Sequence, residues 1–209
     1  MKGTLTLVLG GVRSGKSRFA EELALKLGGD NVLFVATAEN RDGEMDHRIQ
    51  KHKESRPDSW VTLEQPLGVG HAILEREESS RIILIDCLTI LVSNVLCQDP
   101  DLILSPKSID QIHHQLMNEI DQIIEVARVK RSHVIVVSGE VGLGIVPEHP
   151  LGRVFRDLLG WANQSLAKRA NATYMMISGF AVPLHEIAMS MDQVSDKLSR
   201  SIAPFENVS

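Results

Sequence analysis

Five short runs along the chain are almost wholly apolar: LTLVL (5–9), VLFVAT (32–37), RIILID (81–86), HVIVVS (133–138) and ATYMMIS (172–178). Continuous apolar runs of this length, rich in Val and Ile, predict strands covered on both faces in a parallel sheet. Segments of helical period separate them. SRFAEELALKL (17–27) places Phe19, Leu23 and Leu27 on one face and ends at Gly28-Gly29. LTILVSNVL (88–96) reads as a helix, as do residues 106–131, which open on Pro106, and residues 150–170. The tail is less periodic, with a helix expected over 184–200. Strands alternating with helices of this length imply an α/β fold, with a mainly parallel central sheet flanked by helices and a ligand site at the carboxyl ends of the strands. No repeat and no shift in composition marks a second domain. One domain over 1–209 is expected, with about 180–209 as a C-terminal extension of unassigned role.

Composition narrows the class. Of 209 residues, 43% are hydrophobic and 23% charged, ordinary for a globular chain. No apolar run approaches the roughly 18 residues of a membrane span. The opening MKGTLTLVLGG enters a glycine-rich loop rather than a cleavage site, so it reads as a first strand and not a secretory signal. Cys87 and Cys97 are the only cysteines and lack zinc-type spacing, which excludes a disulfide scaffold and a structural zinc, and points to a cytoplasmic protein. The formal net charge of -5 argues against a nucleic-acid partner.

Directly after the first strand comes GGVRSGKS: Gly10, Gly11, Val12, Arg13, Ser14, Gly15, Lys16 and Ser17. This is G-x-x-x-x-G-K-[ST] between a strand and a helix, the signature of a P-loop NTPase. Its glycines let backbone N–H groups converge on phosphate oxygens, and the helix N-terminus adds positive potential. Lys16 meets the β- and γ-phosphates, and Ser17 offers a hydroxyl to Mg²⁺. A carboxylate at the end of a neighbouring strand is expected to complete the magnesium shell. Asp86, ending RIILID, is the candidate, although an Asp before LTILVSNVL also suits a helix N-cap.

Against the acidic whole, GEMDHRIQKHKESRP (43–57) gathers two histidines, two arginines and two lysines. Arg48, Lys51, Lys53 and Arg56 suit an anionic ligand; balanced by Glu44, Asp46 and Glu54, they equally suit a solvated helix face. In a helix, Met45, Ile49 and His52 share one side. His52 is then either a packed histidine or a nucleophile for a nucleotide α-phosphorus. The remaining histidines lack ligand-like spacing and read as structural or surface groups.

GGVRSGKS, RIQKHKESRPDSW (48–60), DCLT (86–89) and GEVGLGIVPE (139–148), in that order, resemble the bifunctional adenosylcobinamide kinase / adenosylcobinamide-phosphate guanylyltransferase family of cobalamin biosynthesis. The resemblance runs from about residue 5 to 180. It implies a recombinase-like P-loop fold, and phosphorylation of adenosylcobinamide with ATP or GTP. It further implies transfer of GMP from GTP to adenosylcobinamide phosphate through a guanylylated histidine at His52. Nucleotide contacts carry over to the loop 10–17, to Thr37, Ala38 and Glu39, to Lys53, Glu54, Ser55 and Arg56, and to Glu64 and Asp86. Mg²⁺ would be the cofactor, and a homotrimer the assembly. Where the family pattern suggests Asn, this chain has Gly139. Glu140 either contacts metal or substrate or caps the following turn. A guanylyltransferase lacking the kinase step, and a regulatory ATPase of recombinase type, are the competing readings.

Overall fold

A computed structural model describes residues 3–38, 56–99 and 101–201. Its elements run β1 (Thr4–Gly10), α1 (Lys16–Gly28), β2 (Val32–Ala36), β3 (Val61–Glu64), α2 (Val69–Glu75), β4 (Ile82–Asp86), α3 (Leu88–Leu96) and α4 (Pro106–Lys130). They continue with β5 (His133–Val137), α5 (Pro150–Arg169), β6 (Ala172–Ile177), β7 (Phe180–Pro183), α6 (Leu184–Ile187) and α7 (Met191–Ser201). Among these residues seven strands form one sheet, in the order β3-β2-β4-β5-β1-β6-β7. All neighbours are parallel except β7, which pairs antiparallel with β6.

Alternate residues of each strand serve opposite faces. Leu5, Leu7, Val35, Ile83, Ile85 and Val136 pack with α2, α3, α4 and α5. Val8, Phe34, Leu84, Ile135 and Val137 pack with Ala20 and Ala24 of α1 and with Trp60. This two-sided burial is why the strands read as unbroken apolar runs.

The long helix α4 starts where its sequence says it should. Ser105 and Ser108 exchange bonds as a capping box, and Pro106 occupies the first turn. Ile112, Leu116, Ile120, Ile123 and Val126 make its buried stripe, and Arg131 ends it in the left-handed region at φ 54°. Helix α2 lies against α4 so closely that a Cβ on Gly70 would stand 2.6 Å from the Gln122 carbonyl carbon and 2.8 Å from the Ile123 nitrogen. The Glu119 carboxylate of α4 accepts from the Gly68 and Val69 N–H groups (2.6 and 3.1 Å), tying down the start of α2. Gly70→Ala should therefore cost about 1–3 kcal/mol of stability, since the obstacle is backbone that cannot swing away. Chemical denaturation should show a lower midpoint at unchanged slope.

The tail departs from expectation. Residues 180–183 form strand β7, and the helix expected over 184–200 is two helices, α6 and α7. Ser178 (φ 51°) and Gly179 (φ 88°) make the two-residue turn into β7, both in the left-handed region that such hairpins require. At α7, Ser190 and Gln193 exchange bonds as a second capping box, restarting the helix after Ala188.

Candidate functional site

The carboxyl ends of the parallel strands bring the sequence motifs to one edge of the sheet. Strand β1 ends at Gly10 (φ 152°), where a Cβ would stand 2.6 Å from the Met176 carbonyl oxygen and 2.7 Å from Ser14 Oγ. Only glycine fits there. The loop then passes through two left-handed residues, Arg13 (φ 56°) and Gly15 (φ 94°), and α1 begins with Phe19 N–H donating to Gly15 O at 3.0 Å. Gly11, Val12 and Arg13 face outward, whereas Ser14 is buried and Ser17 half-buried. Ser14 Oγ has no hydrogen-bond partner among the described residues. Lys16 Nζ donates to Gly11 O at 2.6 Å, so the ammonium is folded over its own loop. A hydroxyl without a partner among the described residues, a lysine ammonium bonded to its own loop's carbonyl, and the open N–H groups of a helix start fit a bound phosphate chain.

Burial lowers the Lys16 pKa from its usual value, and the opposing influences are Cys87 and Asp86. Burial also pushes the Cys87 thiol up to about 11, with Asp86 adding to the rise. At neutral pH that thiol is uncharged, so Asp86 is the group that holds the Lys16 charge. Asp86 reaches this position from two strands away. Strand β4 is not the neighbour of β1, because β5 lies between them; the neighbouring-strand expectation is corrected accordingly. The Asp86 carboxylate and the Ser17 hydroxyl are hard oxygen donors, the type Mg²⁺ takes alongside water and substrate phosphates.

Two clamps hold this edge in place. Thr37 is buried; its Oγ1 donates to Cys87 O (2.8 Å) and accepts from Cys87 N–H (2.9 Å), which fixes the backbone just after Asp86. The Thr37 side chain is thus occupied with the strand end rather than exposed to a ligand, while Ala38 beside it is half-buried. Asn94 of α3 donates to Thr37 O and Pro66 O (2.9 and 3.0 Å), joining the ends of β2 and β3. In the second clamp, Gly139 N–H donates to Thr89 Oγ1 (2.6 Å), Asn163 Nδ2 donates to Gly139 O (3.0 Å), and Ser138 Oγ donates to Asn163 Oδ1 (2.6 Å). A Cβ at Gly139 would stand 2.9 Å from Thr89 Oγ1, so a larger residue there would displace the Thr89 hydroxyl from its bond to the Gly139 N–H. Glu140 N–H donates to Gly10 O (3.0 Å), and its carboxylate accepts from Gly142 N–H (2.7 Å). Of its two readings, the turn cap is the one seen.

Arg56 marks the other face of the site. Its guanidinium carbon lies 3.8 Å from the centre of the Phe34 ring, on the side of the sheet that α1 covers. Burial lowers its pKa, against the pull of Glu21, Asp86 and Glu64. The resemblance-derived Glu64 and Asp86 therefore share the surroundings of Arg56, and Asp86 links them to Lys16. His52, Glu39, Lys53, Glu54 and Ser55 lie outside the described residues.

One contact has no counterpart in the sequence reading. Gly179 N–H donates to Ser14 O at 3.0 Å, so the β6–β7 turn braces the phosphate loop. The Ser-Gly dipeptide between two apolar runs was the available signal.

Comparison with known proteins agrees with the motifs. The family model described as cobinamide kinase / cobinamide phosphate guanyltransferase matches residues 6–184. A curated relative from Pseudomonas aeruginosa, the bifunctional adenosylcobalamin biosynthesis protein CobP, is 38% identical over 85% of this chain and 95% of its own length. The Escherichia coli K12 relative, the bifunctional adenosylcobalamin biosynthesis protein CobU, is 38% identical over 86% of this chain and 99% of its own. Among solved structures, the RadB recombinase aligns with a TM-score of 0.46 at 15% identity, over 83% of this chain and 74% of that one.

Proposed function

The chain belongs to the cobinamide kinase / cobinamide phosphate guanyltransferase family, and from that premise we propose how its residues divide the two reactions. In the first, the terminal hydroxyl oxygen of the acceptor's aminopropanol arm attacks the γ-phosphorus of ATP or GTP. The hydroxyl proton is lost and the nucleoside diphosphate leaves. In the second, a neutral nitrogen of His52 attacks the α-phosphorus of GTP and pyrophosphate leaves. The acceptor's new phosphate then attacks the histidine-bound phosphorus, giving adenosyl-GDP-cobinamide and restoring the imidazole.

The observation that carries this reading is the shared edge of Lys16, Asp86 and Arg56. Lys16 sits in a phosphate loop with an orphaned hydroxyl, within electrostatic reach of Asp86. Arg56, the last cation of the basic segment, feels the same carboxylate from the α1 side. Lys16 orients the β- and γ-phosphates for the first step. Lys53 and Arg56, with Glu54 and Ser55, hold the nucleotide around His52 for the second. When bound by Ser17 and Asp86, Mg²⁺ supplies charge neutralisation on the phosphates. His52 attacks in its unprotonated form, the one with a free lone pair on nitrogen. A homotrimeric, cytoplasmic enzyme is proposed on the family resemblance.

The test is to incubate the protein with Mg²⁺ and GTP labelled at the α-phosphate, denature it, and look for label on the chain. An acid-labile, alkali-stable label from GTP, absent with ATP labelled the same way, is expected for a histidine phosphoramidate. An unlabelled chain that still binds GTP would overturn the covalent step.

A further inference from the structure

The GEVGLGIVPE string holds three bulky apolar groups that neither the phosphate loop nor the basic segment uses. Leu143 is 84% exposed, Ile145 96% and Val146 60%, and Val12 on the crest of the phosphate loop is 91% exposed. Exposed apolar side chains gathered along one loop are of the kind that mark a binding surface. The loop from Val141 to His149 joins β5 to α5. Because β5 stands between β1 and β4, this loop leaves the sheet between Lys16 and Asp86, where the reacting phosphate belongs. Glu140 N–H to Gly10 O fastens its base to the phosphate loop. Beneath it lies a shallow depression lined by Gly142, Gly144 and Val146 from the loop and by Arg156, Gly160 and Trp161 from α5. Gly160 is mid-helix, where glycine costs about 1 kcal/mol relative to alanine. A Cβ there would meet nothing within 4 Å. Packing among the described residues therefore gives no reason for this glycine; it leaves open floor beside the half-exposed Trp161.

We propose that this loop and the α5 surface beside it are the seat of the corrin ring of the acceptor. The inference rests on the acceptor being a cobinamide. The reacting oxygen must come within about 3–3.5 Å of the phosphorus. The macrocycle is far larger than the arm that carries that oxygen, so it must leave the site over an adjoining wall. On the α1 side that wall is taken by Arg56 against Phe34. On the other side it is the loop 141–149, apolar at its tip and flanked by a flat aromatic side chain, which suits a broad ring edged with amides.

The test compares the double variant Leu143→Ser, Ile145→Ser with the wild-type chain. The readouts are steady-state phosphorylation of adenosylcobinamide, self-labelling by GTP without acceptor, and size-exclusion mass. A rise of about tenfold or more in KM for adenosylcobinamide, with little change in kcat and no change in mass, is expected. An unchanged KM overturns the proposal. So does a raised KM that accompanies loss of an oligomer, because the loop is then an interface between copies. Self-labelling needs no acceptor and reports on the histidine step separately. Its absence in the wild-type chain would sink the covalent reading while leaving the KM comparison interpretable.

Discussion

Lys16→Ala is expected to lower phosphoryl transfer by about 10²–10³-fold while leaving the fold as stable as before. The ammonium in this structure donates to Gly11 O, a partner it can exchange for phosphate oxygens without any shift of the main chain. Burial lowers its pKa and Asp86 partly restores it. A lysine whose folded pKa is lowered destabilises the fold while it is charged. That penalty is present at neutral pH and disappears only as pH rises through the folded value towards the unfolded one. Removing the ammonium thus removes a small penalty along with one exposed hydrogen bond, and thermal denaturation should register little change. Catalysis loses the charge that meets the β- and γ-phosphates as the leaving group departs. Lys16→Arg should not rescue it, because a planar fork cannot replace a compact charge inside a loop this tight. Wild-type turnover in the alanine variant would remove the phosphate loop from the reaction.

How much of this site could be read in advance depends on how local each piece is. The phosphate loop is contiguous, and Gly10 and Gly15 are dictated by their positive φ angles and, at Gly10, by close approach to the Met176 carbonyl, so residues 10–17 declare themselves. Strands β1, β2, β4, β5 and β6 are covered on both faces and read as apolar runs. Strand β3 is four residues of edge with Val61, Thr62 and Glu64 exposed, and β7 is equally short and ends in proline. Neither has the length or alternation to stand out. Helix α2, seven residues, exists because Glu119 and the Gln122 backbone receive it, about fifty positions away. The clamps are illegible for the same reason. Thr37 with Cys87, and Thr89 with Gly139, are pairs separated by 50 residues, and nothing in either local string announces them. The Thr37 hydroxyl holds the strand end that presents Asp86. The order of strands was equally hidden: that β5 intervenes between β1 and β4 follows from global topology, and it is what sets the base of the 141–149 loop beside the phosphate loop.

His52→Ala should separate the two reactions. GMP transfer is expected to fall by at least about 10³-fold, because the variant lacks the proposed nucleophile. Phosphorylation of the acceptor should stay within a few-fold, since the proposed scheme gives that step to Lys16 and Ser17 of α1 and Asp86 of β4 rather than to the imidazole. The same division should show in pH dependence. A histidine attacks only when unprotonated, so transfer should decline as pH falls through the ordinary imidazole range, about 6.5. Phosphorylation, which needs no unprotonated imidazole in the proposed scheme, should not share that limb. Measuring both rates in one preparation from pH 5 to 8, with label from α-labelled GTP counted alongside, gives the comparison directly. Label that persists in the alanine variant would move the nucleophile to another residue. Parallel loss of both activities would mean that His52 serves the common nucleotide site rather than a bond to phosphorus.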